Sequence, residues 1–141
     1  MTKMQQAEKE AFLADLHVGV VGLTDPGAGP LTVPIWYDYT PGARLWMITG
    51  RDSRKGQLIN TGSRLSLAAQ TEAPPYKYVS IEGVVDDITQ TTAEELQAMA
   101  IRYLGEEQGK AYAAGSTLEG QITVWVTPER WLAVDYSKMS V

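Results

Sequence analysis

"LTVPIWYDYTPGARLWMITG", residues 31–50, is the stretch that decides the fold. Residues 31–39 are rich in β-branched and aromatic side chains, the composition of a strand. Thr40-Pro41-Gly42-Ala43 follows, with Pro and Gly in the order a type II turn uses them: Pro pre-sets a negative φ and Gly then supplies a positive one. Residues 44–50 read as the return strand. The stretch is therefore expected to form one antiparallel hairpin. Pro34 has no N–H for a ladder bond, which points to a sheet edge, a bulge or a backbone kink.

Outward from the hairpin, the strand signal repeats. Residues 17–24, 64–72 and 76–88 read as strands, and two more, 121–127 and 130–136, are expected to meet around Pro128. In residues 76–88, Val79 and Ile81 fall on one face and Tyr78, Ser80 and Glu82 on the other, the period of a strand. Two short helices are expected at residues 5–16, with Ala7, Ala11, Phe12 and Leu16 toward one side, and at residues 53–61. One strong helix follows Thr92: Thr92-Ala93-Glu94-Glu95 has the spacing of a capping box. Leu96, Met99, Ala100, Tyr103 and Leu104 then form an apolar stripe, and Gly105 supplies a stop. Strands arranged in hairpins imply a mostly antiparallel sheet. Six or seven strands in so small a chain favour a closed or half-closed barrel, which removes edge strands.

The 141 residues suit a single domain, 1–141, around one core. A formal net charge of −5 argues against a general nucleic-acid binder, which carries a basic stripe. No cysteine is present, so disulfides, thiolate metal sites and cysteine nucleophiles are out. A single histidine, His17, rules out a multi-histidine metal site. No window approaches the length and apolarity of a membrane span, and the start of the chain has no apolar signal core; the cytoplasm is the expected location.

Just past the hairpin, "MITGRDSRKGQLI" places Ser53 as an N-cap with Arg54 and Lys55 in the first turn. Cations there oppose the helix dipole unless an anion joins them. Arg offers a fork and Lys a mobile point charge, which together suit a phosphate. A solvated basic patch paired with Asp or Glu elsewhere is the alternative. No Walker or G-x-G-x-x-G spacing is present, so neither a nucleoside triphosphate nor a Rossmann dinucleotide is indicated.

The ordered set "VPIWYDY", "RLWMITGRDSRKGQLI", "RLSLAAQ" and "YKYVSIEGVV" resembles the pyridoxamine-phosphate-oxidase-like split β-barrel superfamily, which binds flavins and deazaflavins. The resemblance covers residues 12–88 well. It continues more loosely through "RYLG" and "TPERWLAVDYSK". It implies a mostly β, antiparallel split β-barrel of six to seven strands with a few helices, and a homodimer with cofactor at the subunit interface. A flavin-type ring would lie against Val33, Pro34, Ile35 and Trp36. Ile48 and Thr49 would meet the ring or its ribityl chain. Ser53, Arg54 and Lys55 would hold the phosphate. Tyr78 would approach the partner's cofactor, and Trp131 would cover the ring. The implied activity is that of an oxidoreductase using FMN or the deazaflavin coenzyme F-420 on a small organic molecule, with no catalytic side chain required. The C-terminal Arg-x-His substrate motif of pyridoxamine-phosphate oxidases proper has no counterpart in residues 128–136, which disfavours that activity.

Two other readings stand beside it: a non-catalytic protein that holds such a cofactor or haem, and a dimeric interaction module without a ligand. In the haem case His17 is the available axial ligand. Arg51, Lys77 and Lys138 are candidates for the anionic tail of a deazaflavin. Neither a nucleic acid nor a membrane is an expected partner.

Overall fold

The computed structural model describes residues 1–139. Helix α1 (Gln6–Ala14) leads to strands β1 (Gly19–Leu23), β2 (Leu31–Ile35), β3 (Tyr37–Tyr39) and β4 (Leu45–Gly50). Helix α2 (Arg54–Leu58) precedes β5 (Arg64–Gln70) and β6 (Lys77–Gln90). Helices α3 (Ala93–Leu104) and α4 (Glu106–Ala114) then lead to β7 (Gln121–Asp135).

The seven strands form one sheet in the order β2-β1-β5-β6-β7-β4-β3, with every pairing antiparallel. The sheet does not close. Strands β2 and β3 are its two edges, so the expectation that a barrel would abolish edges fails. Only Trp36 lies between those two strands in the chain.

That break also corrects the hairpin. The turn itself forms as read: Gly42 has φ +82° and Ala43 N–H donates to the Thr40 carbonyl at 2.9 Å. Yet only Tyr37–Tyr39 pair with β4, while residues 31–35 turn away to β1, Ile35 opposite Gly19. Pro34 pairs with Val20 in the edge strand β2, where a missing N–H costs no ladder bond. Gly19 is required at this crossing, because a Cβ there would sit 2.9 Å from the Tyr37 ring.

The two strands expected at the C-terminal end are one. Strand β7 runs straight through Pro128, which lies opposite Gly83 where the β6 register shifts. A Cβ on Gly83 would stand 2.6 Å from the Thr127 carbonyl, so the close approach at this bulge needs glycine. A second shift between Val85 and Asp87 bends β6 again, and the long β6–β7 ribbon coils the sheet around its core. Tyr37, Leu45, Met47, Leu67, Ile81 and Val124 are buried inside it.

Helix α1 is shorter than expected and turned differently. It buries Phe12 and Leu13, whereas Leu16 lies beyond its end and is 56% exposed. Helix α2 also shrinks to five residues. Helix α3 forms as read. Its capping box is complete, and Glu95 Oε1 also accepts from the buried Thr123 hydroxyl at 3.0 Å, tying the helix start to β7. Among the described residues, no helix is long and apolar enough to cross a membrane.

Candidate functional site

The gap between β2 and β3 leaves backbone groups that must find partners elsewhere. Helix α3 supplies them. The Tyr103 hydroxyl accepts from Tyr37 N–H at 3.0 Å and lies 2.9 Å from the Tyr37 carbonyl and 2.6 Å from that of His17. Arg102 donates to the carbonyls of Tyr37, Ala14 and Asp15 at 3.0, 3.1 and 3.0 Å, and pairs with Asp38 at 3.4 Å. One Arg-Tyr pair thereby clamps the end of α1, the start of β1 and the whole of the gap. The sequence reading placed Tyr103 in an apolar stripe and gave Arg102 no role. Only the open edge reveals what the pair does. Burial pushes the Tyr37 and Tyr103 phenols above their ordinary range, so both are neutral donors at physiological pH.

Trp36, the residue in the gap, is held by the same clamp. Its ring stacks on Tyr103 at 4.9 Å and 5°, and Tyr112 of α4 tilts against it at 5.8 Å. Trp36 and Ile48 form one side of a cleft of about 130 Å³, and Leu96, Met99, Ala100 and Tyr112 form the other. Gly109 sets the spacing of the helices: a Cβ there would lie 2.5 Å from Ile101 Cα, so α4 packs directly on α3.

From the cleft, β4 leads to α2. Ile48 faces the cleft, and Thr49, on the opposite face, is buried with its hydroxyl 3.2 Å from that of Ser53. Ser53 caps α2 as expected: it accepts from Gly56 N–H at 3.1 Å and donates to the Gly50 carbonyl at 2.7 Å. Gly56 is buried against the turn, where a Cβ would come within 2.1 Å of the Gly50 carbonyl oxygen. Arg54 forms an ion pair with Asp25 of the β1–β2 loop. Much of the charge that demanded an anion in the sequence is thus already balanced. Lys55, half-buried, forms no ion pair among the described residues.

The other candidate residues lie apart from this cleft. Val33 and Ile35 point inward, against Val21 and Gly19, while Pro34 faces out beside Val20. Tyr78 is on the outward face of β6, opposite Gln70 and Val134. Trp131 packs against the core, edge-on to Tyr39 at 6.0 Å. His17 stacks on Phe12 at 4.4 Å, with Nε2 3.0 Å from the Phe12 carbonyl. Lys138 is engaged by Glu8 at 2.7 Å and holds that carboxyl below its usual range, and Arg51 is exposed.

Together these features define a mostly β protein whose antiparallel sheet is split at one seam, with a cleft between that seam and a helix pair. The chain belongs to the pyridoxamine 5'-phosphate oxidase family, whose model matches residues 5–135. No curated protein matches it. Among solved structures it is similar to a conserved hypothetical protein of Mycobacterium tuberculosis, with 22% identity, TM-score 0.78 and coverage of 99% of this chain and 93% of that one. An F-420 reductase shares 19% identity and TM-score 0.72 over 87% of this chain and 94% of that one. A FAD- and haem-binding protein of Mycobacterium smegmatis shares 14% identity and TM-score 0.66 over 94% of this chain and 71% of that one. These likenesses describe the fold.

Proposed function

We propose that this chain is an oxidoreductase that binds a flavin-type cofactor, FMN or the deazaflavin F-420, and acts on a small organic molecule. The observation that carries the reading is the continuity of β4 with α2 in a member of this family. The strand presents Ile48 beside Trp36, and the same backbone runs on to Ser53, Arg54 and Lys55. A ring beside Trp36 and Ile48 and a phosphate at Lys55 and Arg54 would be served by one connected segment.

The residues fit such a group. Trp36 is rigidly stacked and offers an aromatic wall, and Lys55 carries a charge with no ion-pair partner among the described residues. Arg54 would share its guanidinium between Asp25 and the phosphate. A bound flavin supplies the redox chemistry. This chain supplies position, exclusion of water and charge.

The cleft is small for a tricyclic ring. Pockets that enclose drug-sized ligands hold roughly 300–1,000 Å³. A further wall beyond these two is therefore part of the proposal, and a second copy of the chain would provide it. The outward face of the sheet carries a row suited to that contact: Pro34, Val20, Ala68, Ser80 and Leu132 stand side by side across five strands. Leu132 is 61% exposed and Val20 42%, and Tyr78 lies on the same face.

Parallel fluorescence titrations with FMN, F-420 and haem test the cofactor. Binding of haem alone would favour a carrier over an oxidoreductase. Replacing both Arg54 and Lys55 by Ala is expected to weaken FMN or F-420 binding by about 3 kcal/mol in sum, from lost charge-assisted bonds. Equal affinity in the double variant and the parent would remove the phosphate assignment.

A further inference from the structure

We propose that Asp25 sets the charge class of the group held at Arg54 and Lys55: a singly charged phosphodiester in preference to a doubly charged phosphomonoester. This rests on the phosphate assignment above and deepens it, because FMN ends in a phosphomonoester and F-420 carries a phosphodiester.

The carboxylate is built into the fold. Ala28 N–H donates to the Asp25 carbonyl at 3.0 Å and Gly27 takes φ +81°, so a turn in the β1–β2 loop presents Asp25. Its side chain is 12% exposed, against 57% for Arg54. Its side chain has no partner other than Arg54 among the described residues. Were Arg54 to swing away, a largely buried carboxylate would lose its counter-charge, which is costly. A bound anion therefore shares Arg54 with Asp25 and does not displace it. Sharing is open to it: only Nη2 of Arg54 meets Asp25, and Nε and Nη1 make no hydrogen bond among the described residues.

The field that the anion meets follows from this. Arg54 and Lys55 against Asp25 leave a net charge of +1, and Arg51 and Asp52, both exposed, add one charge of each sign. Attraction to that field grows in proportion to the charge of the ligand, whereas the cost of stripping its water grows as the square. A net charge of +1 suits a monoanion. The second charge of a phosphomonoester would lose hydration with no further cation to receive it. The helix end does not alter the count: α2 has five residues, and Ser53 already takes the Gly56 N–H.

Fluorescence titrations of the full chain test this at pH 8, where a phosphomonoester carries two charges because its second pKa is about 6. The probes are riboflavin and 5-deazariboflavin, each free, as the 5'-phosphate and as the methyl phosphodiester of that phosphate. On whichever ring binds, the diester is expected to bind at least as tightly as the monoester, and at least about tenfold more tightly than the free form. Asp25→Asn keeps an oxygen for Arg54 and removes the charge. It is expected to tighten the monoester about tenfold and the diester about threefold, reversing their order, and to leave the free form unchanged. The logarithms of the two gains stand as the two ligand charges do. A monoester that binds the parent more tightly than the diester, equal gains in the variant, or weaker binding of both overturns the proposal. The phosphate assignment survives any of these as long as both esters outbind the free form. Equal binding of all three forms, or no binding of either ring, ends that assignment and this proposal with it. Should the variant fail to fold by circular dichroism, the order of monoester and diester on the parent decides it.

Discussion

Tyr103 shows how much one side chain can carry. Its ring fixes Trp36, and its hydroxyl serves the backbone of Tyr37 on one side of the gap and His17 on the other. Removing the hydroxyl alone, Tyr103→Phe, keeps the stack and strips partners from half-buried backbone groups. A loss of about 1–3 kcal/mol in unfolding free energy is expected, measured by urea titration. Arg54 makes the opposite point. Two cations at a helix start looked like a request for an anion, but α2 has only five residues and Asp25 meets one of the charges. The residue-level question narrows to Lys55.

At the scale of elements, α3 holds the molecule's two halves in register. Its first turn is tied to β7 through Glu95 and Thr123, and its last turn clamps the gap through Arg102 and Tyr103. Thr92→Ala removes the cap that closes its N-terminus. It is expected to cost about 0.5–2 kcal/mol, again by urea titration. The loss should be accompanied by faster hydrogen exchange at Tyr37 N–H, whose acceptor α3 provides. Unchanged exchange at that amide would show that the two ends of α3 are independent.

For the whole molecule, the outward row across five strands is the surface that the proposed dimer would bury. Leu132→Glu places a charge at its most exposed apolar position. Sedimentation velocity is expected to show a dimer for the parent and a monomer for the variant; two identical profiles would remove this face from the assembly. The buried phenols give the molecule a second global property. Tyr37, Tyr39 and Tyr103 are all raised above 10.0, chiefly by burial. The unfolded chain releases these protons near pH 10 while the native state still holds them. The stabilisation is therefore complete below that pH and is lost as pH rises past it. Urea midpoints measured from neutral pH to about 11 should fall at the alkaline end, and less steeply in Tyr37→Phe.

Much of this protein is local and was legible as such. The type II turn at Gly42, the cap at Ser53, the capping box at Thr92 and the alternation along β6 each depend on residues close in the chain, and each forms as read. Composition and strand order in sequence likewise determined an antiparallel, mostly β architecture. The resemblance implied a split barrel, but the place of the split was not legible in the residues, because residues 31–39 carry one continuous strand pattern. Its division at Trp36 is decided by which distant strands compete for each half, β1 on one side and β4 on the other. Pro128 misled for the same reason: a proline ends a strand only if its partner needs the N–H, and the bulge at Gly83 removes that need. The ion pair of Arg54 with Asp25, the clamp of Arg102 and Tyr103, and the uncharged cleft all join residues far apart in sequence. Short-range preference sets the turns and caps. Satisfaction of buried polar groups, a property of the assembled fold, sets the seam and the cleft beside it.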